Sequence, residues 1–292
     1  MVEVGHQRKG RLAIIAGEGQ LPLHVAHAAR LAGENPFIMA LKDEAAQDWS
    51  GFDNAVIGVG DMKGLAAILK SRGIDRVVMS GGVKRRPNFS QIHVNLATIL
   101  KLPSTLRTLR AGGDDAVLKM VIGLIEAQGA TVVGAHDIAP DLLATTGPLG
   151  STRPSDDDRR DIARAADAAE VLGRLDVGQG AVSIGGRIVA LEGVEGTDAM
   201  LERVAGLRAD GRISPRRKGV LVKLCKPQQD IRADLPTIGR STVENALKAG
   251  LAGIAVEAGR SLVIERDAVL KAADEAGLFV AGLDLGLPGM GL

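Results

Sequence analysis

Short apolar runs alternate with longer helix-periodic segments through the first half of this chain, and that alternation restricts it to parallel strands joined by crossover helices. The strand candidates are Leu12 to Ala16 (LAIIA), Pro36 to Leu41 (PFIMAL), Ala55 to Val59 (AVIGV), Arg76 to Met79 (RVVM) and Thr131 to Gly134 (TVVG). Lys63 to Arg72, Asn88 to Lys101 and the stretch opened by Gly113-Asp114-Asp115 read as helices between them. In the last of these, Val117, Met120, Val121, Leu124 and Ile125 follow the helical period. After the first strand, Gly17-Glu18-Gly19 reads as a tight turn, and Pro22 suits the first turn of the helix that follows. The expectation is a Rossmann-like parallel-sheet domain over residues 1–148.

Between Thr145 and Pro154 the sequence TTGPLGSTRP has the look of a connector, and residues 149–292 form the second expected domain. Ser155 followed by Asp156, Asp157 and Asp158 is an N-cap with acids at the positive end of the helix dipole, so a long helix is expected to about Arg174. Gly180 to Ile184 and Arg187 to Leu191, separated by Gly185-Gly186, predict a hairpin. Strands near Gly219 to Leu224, Gly253 to Val256, Leu262 to Ile264 and Phe279 to Ala281 alternate with helices near Thr197 to Ala209, Thr242 to Ala249 and Arg266 to Ala276. Ser241 with Glu244 predicts a capping box. The fold class is α/β, with a distinct mixed α/β domain after the parallel one.

Composition narrows the function. At 292 residues and 46% hydrophobic, the chain can fill the cores of two domains. A formal charge of +1 without a block of like charge, together with four Phe, one Trp and no Tyr, argues against nucleic-acid binding. Cys225, the single cysteine, excludes an intramolecular disulfide and any cysteine-built metal centre, and points to a reducing cytoplasm. It reads as a small buried residue. No apolar run approaches the roughly 18 residues of a membrane span, and the polar lead Met1 to Arg11 does not read as a signal peptide. Walker A, HExxH, Gly-x-Ser-x-Gly and Nudix patterns are absent. His24 and His27 share one side of the first helix and read as core or surface residues.

Two kinds of candidate site remain. Gly17-Glu18-Gly19 resembles the start of a dinucleotide fingerprint. Pro22 stands where the third Gly would be, however, and Lys42-Asp43 ends the second strand in place of a lone acid, so a phosphate, uridine or sugar contact is favoured over NAD. Lys84 and Arg85 follow the fourth strand and could meet phosphate. The densest polar cluster is Lys223, Lys226, Gln229, Asp230, Arg232 and Asp234, immediately after an apolar strand and stiffened by Pro227 and Pro236. In an extended stretch Asp230, Arg232 and Asp234 would project to one side, where they could hold Mg²⁺, position water and bind phosphate. The competing reading is an ion-paired surface loop. Glu192, Glu195 and Asp198 form a second acidic patch of hard oxygen donors, in which Thr197 could cap the helix or bond phosphate.

Four segments together carry a family resemblance: IIAGEGQLP at 14–22, GGDDAVL at 112–118, ALEGVEGTDAML at 190–201 and KPQQDIRADLPTIG at 226–239. They resemble the LpxI-type UDP-2,3-diacylglucosamine pyrophosphatases over nearly the whole chain and in the same order. The resemblance implies hydrolysis of UDP-2,3-diacylglucosamine to UMP and 2,3-diacylglucosamine 1-phosphate (lipid X) in lipid A synthesis. It further implies dependence on Mg²⁺ or Mn²⁺, water attacking the sugar-side phosphorus, a homodimer, and a cytoplasmic enzyme with transient peripheral contact at the inner membrane. On this reading Asp230, Asp234, Asp198 and Glu195 bind the metal or activate water. Arg232, Lys223 and Lys226 stabilise charge on the phosphoryl oxygens, and Asp230 is favoured over Asp234 as the essential acid. Gly17, Glu18, Gly19, Gln20, Lys84, Asp114, Thr197 and Gln229 are the substrate-binding candidates. The rival readings are a non-catalytic nucleotide-sugar binder and an NAD-dependent protein.

Overall fold

A computed structural model describes residues 10–83 and 114–285. The expected helix at Asn88 to Lys101, Lys84 with Arg85, and the side chain of Asp114 lie outside the described residues. The chain forms two compact units, one of residues 1–140 with 230–234, the other of 141–229 with 235–292.

The first unit holds β1 (Arg11–Ala16), α1 (Leu21–Leu31), β2 (Phe37–Leu41), β3 (Asn54–Ile57), α2 (Met62–Arg72), β4 (Ile74–Ser80), α3 (Asp114–Glu126), β5 (Thr131–Val133) and the short α4 (Ala135–Ile138). Its five strands are all parallel, in the order β3-β2-β1-β4-β5. Near-continuous burial of β1 and β2 is what a sheet covered by crossover helices requires. The order reverses between β1 and β4, so the loops leaving their carboxyl ends flank the crevice where doubly wound sheets take ligands. His24 is half-buried, and His27 is exposed and meets Phe52 edge-on at 5.6 Å.

The second unit is built on a six-stranded mixed sheet, order β6-β13-β11-β9-β7-β8. Its strands are β6 (Gly147–Pro148), β7 (Gly180–Ile184), β8 (Arg187–Leu191), β9 (Val220–Lys223), β11 (Gly253–Glu257) and β13 (Phe279–Leu283). β9, β11 and β13 are mutually parallel, while β6, β7 and β8 run antiparallel to their neighbours. β10 (Thr237–Ile238) and β12 (Leu262–Val263) form a separate parallel pair. The helices are α5 (Asp156–Arg174), α6 (Gly196–Ala209), α7 (Arg240–Lys248) and α8 (Arg266–Glu275). Ser155 and Asp158 cap α5 reciprocally, each accepting the other's backbone N–H.

One local expectation is corrected. Ser241 does not cap α7, which begins at Arg240 behind Gly239. Gly239 donates its N–H to Thr242 Oγ1, and Glu244 pairs with Arg240 at 2.8 Å across one helical turn. The helix starts two residues earlier than the capping box predicts, so Ser241 already lies inside it.

Candidate functional site

At the reversal point of the first sheet, two loops zip together through backbone. Gly17 N–H donates to Ser80 O at 2.8 Å, Glu18 N–H to Gly82 O at 2.7 Å, and Gly82 N–H to Glu18 O at 3.0 Å. A Cβ at Gly17 would overlap the Gly82 carbonyl, so glycine there permits one loop to lie on the other. The N–H groups of Gly17 and Glu18 are therefore already bonded, and an anion at this turn would meet those of Gly19 and Gln20. Gln20 is the N-cap of α1 and makes no side-chain cap bond, and Gln47 Nε2 donates to Gly19 O.

Asp230 to Asp234 belong to the first unit although they lie late in the sequence. The segment is a turn rather than an extended strand: the N–H groups of Ala233 and Asp234 both reach Asp230 O, at 2.9 and 3.2 Å. Side chains therefore do not alternate with period two, and that expectation is overturned. Ala233 packs against the cluster that contains Ile122 and Ile125 of α3, which anchors the turn. Arg232 grips Asp230 with two prongs, Nε to Oδ1 at 2.9 Å and Nη2 to Oδ2 at 2.7 Å. Its third nitrogen meets Glu126 Oε1 at 2.9 Å, at the carboxyl end of α3 where a cation also suits the helix dipole.

That grip sets the electrostatics. The Arg232 hydrogen bond holds the Asp230 carboxyl below its ordinary range against the opposing effect of partial burial, with a smaller contribution from Lys119. The guanidinium is correspondingly raised, chiefly by Asp230. A carboxylate that stays ionised is a poor general base at neutral pH and a good permanent anion, suited to orienting water or holding a cation. Asp234 is exposed on the same turn.

In the second unit the remaining candidates surround the carboxyl ends of β9 and β11. Lys223 is buried and its Nζ donates to Thr237 O at 3.1 Å. Cys225 is buried, and its N–H donates to Glu257 Oε2 at 2.9 Å. Gln229 Oε1 accepts the Lys226 N–H at 3.1 Å, closing the turn before Asp230. Lys226 Nζ pairs with Asp176 at 2.7 Å, and Gln228 Nε2 donates to Gly173 O at 2.8 Å. Both bonds tie the turn to the end of α5.

The acidic patch divides. Glu192 is buried and accepts the Thr197 hydroxyl at 2.7 Å. Glu195 is exposed and pairs with Arg203 at 3.0 Å, and Asp198 lies exposed in the first turn of α6. Glu195 and Asp198 are in the second unit, Asp230 and Asp234 in the first. No group of three or more His, Cys, Asp or Glu placed to hold a metal occurs among the described residues. Both oxygens of Asp230 accept from Arg232, so in this arrangement the carboxylate is engaged by a guanidinium rather than set open toward a metal ion.

Sequence reasoning missed Glu126, Asp176 and Glu257. Glu257 had a signal, since it is a carboxylate ending an apolar strand, GIAVE. Glu126 had none, because its partner Arg232 lies 106 residues away.

Residues 11–142 match the LpxI N-terminal domain family and residues 145–281 the LpxI C-terminal domain family. The UDP-2,3-diacylglucosamine pyrophosphatase LpxI of Caulobacter vibrioides is 42% identical over 276 residues, covering 94% of this chain and 98% of that protein. With both domain families matched in order and identity sustained end to end, the chain belongs to the LpxI family.

Proposed function

We infer that this protein hydrolyses the pyrophosphate of UDP-2,3-diacylglucosamine to UMP and 2,3-diacylglucosamine 1-phosphate in lipid A synthesis. The observation that carries the reading is identity of 42% across 94% of the chain with a relative of that activity. Asp230, kept anionic by Arg232, orients the attacking water or a cation, and Asp234 supplies a second oxygen ligand on the same turn. Bound Mg²⁺ or Mn²⁺ would supply positive charge to the phosphoryl oxygens. Arg232 acts as the clamp on Asp230, while Lys226, through Asp176, and Lys223, through Thr237 O, hold the loop that leads to it. Gly19 and Gln20 offer backbone N–H groups to the nucleotide. Water attacks the sugar-side phosphorus, and UMP leaves.

The protein works as a homodimer touching the cytoplasmic face of the inner membrane. No helix among the described residues is long and apolar enough to cross a membrane.

The test is incubation with UDP-2,3-diacylglucosamine and Mg²⁺ in water enriched in heavy oxygen, with products read by mass spectrometry. UMP with label on the sugar phosphate is expected. Label on UMP would move the attack to the other phosphorus, and the absence of metal-dependent products would remove the activity. Asp230→Asn and Asp234→Asn are each expected to lose turnover by about two orders of magnitude or more.

A further inference from the structure

The parallel strands of the second unit have two edges. Lys223 and Glu257 stand at the carboxyl ends of β9 and β11. At the opposite edge, Gly219 and Ala252 immediately precede β9 and β11, and Phe279 opens β13. There a cleft of about 690 Å³ opens, within the size range of small-ligand sites. Its lining includes the Gly185-Gly186 turn, Gly219, Arg153, Arg216, Arg217 and Lys218.

Carboxylates also reach this cleft, but the protein satisfies them itself. Asp161 is buried and accepts the Ser183 hydroxyl and the N–H groups of Gly185 and Gly186, at 2.6, 2.9 and 2.6 Å. Asp158 accepts the N–H of Ser155 at 2.9 Å, and Asp157 pairs with Arg160. Arg217 lies over the hairpin turn and donates to Gly185 O at 3.4 Å. Arg153, Arg216 and Lys218 have no side-chain partner among the described residues, and all three are exposed. With five cationic side chains in its lining against three carboxylates, the cleft presents a concave surface with an excess of positive charge, next to the amino end of α5, whose dipole adds to it.

We propose that this cleft is a second ligand site, distinct from the hydrolytic edge, for an anion bearing a phosphate ester. Two guanidinium groups recognise phosphate oxygens by paired hydrogen bonds, and Lys218 contributes a point charge. The phosphate could belong to a soluble ester or to a lipid headgroup.

Two measurements on the full chain decide, and neither needs turnover, so their outcome is independent of the proposed activity. Wild type and Arg153→Ala/Arg216→Ala/Lys218→Ala are titrated with inorganic phosphate by calorimetry, and both are sedimented with phosphatidylglycerol or phosphatidylcholine vesicles. Thermal unfolding checks that the variant folds, as the exposure of the three side chains leads one to expect. Weakening of phosphate binding by about tenfold or more in the variant assigns the cleft to soluble anions. Loss of phosphatidylglycerol binding, with phosphatidylcholine unaffected, assigns it to headgroups. The Arg153→Lys/Arg216→Lys variant, which keeps the charge and loses the fork, is expected to fall between wild type and the triple variant in either signal. Equal binding of both probes by wild type and triple variant, including no binding by either, overturns the proposal.

Discussion

Two turns of the first unit, both singled out by their residues, are held by opposite means. The Gly17 to Gln20 turn is locked by backbone: its amides pair with Ser80 and Gly82, and glycine is required because the two loops touch. The Asp230 to Asp234 turn is locked by side chains, with Arg232 drawing Asp230 and Glu126 together and Ala233 seated in the core. The first arrangement tolerates almost any side chain that is not forced inward, but no Cβ at the contact. The second tolerates changes of backbone neighbour but depends on one guanidinium. The glycine-rich motif thus serves the packing of two loops, whereas the polar motif carries the charge.

Substitution should expose that contrast. The largest effect on folding is expected from Gly81→Ala, since Gly81 has φ of +88° and a Cβ there would lie 2.5 Å from Glu18 O. Strain and overlap with backbone together should cost about 2–4 kcal/mol, read as a lower urea midpoint with an unchanged slope. A loss of under about 0.5 kcal/mol would mean that the two loops separate readily.

Arg232→Ala should cost less in stability, about 1–2 kcal/mol for a half-exposed pair of charged hydrogen bonds, but far more in turnover. Arg232→Lys, which keeps the charge and loses the fork, should fall between wild type and Ala in turnover. Equal turnover in all three proteins would show that Asp230 needs no clamp.

The smallest effect is in acid. A carboxylate whose folded pKa is depressed contributes stability above its unfolded value of about 4 and loses it as pH falls through the folded value. Asp230 is depressed by Arg232, and Asp274 by the N–H groups of Ser151 and Thr152, so stability should decline below about pH 4. In Arg232→Ala the Asp230 share disappears and the decline becomes shallower. An unchanged acid slope would mean that the pair is open in solution.

Much of the fold was legible because local chemistry and tertiary context agree. The Gly185-Gly186 hairpin joins strands with the expected bounds, Gly180–Ile184 and Arg187–Leu191. Ser155 opens α5, and the apolar runs of the first half pair in parallel. Of the candidate site, the KPQQDIRADLPTIG loop was legible as a polar cluster between two prolines, but its internal geometry was not. Gln229, a substrate-binding candidate, also has a local role that its place in the cluster did not show, accepting the Lys226 N–H. Thr197 could have capped a helix or met phosphate, and bonds the buried Glu192.

The amino-acid sequence by itself determined the α/β class, the position of most strands and helices, and the family. These follow from hydrophobic period, turn residues and motif order, all of which are local or additive along the chain. Tertiary structure alone decided that Asp230 to Asp234 belong to the first unit, that Arg232 meets Glu126, and that Arg153, Arg216 and Lys218 line one cleft of the second unit. Those outcomes depend on which side chains are brought within hydrogen-bonding distance across a hundred residues. No period along the chain records that distance.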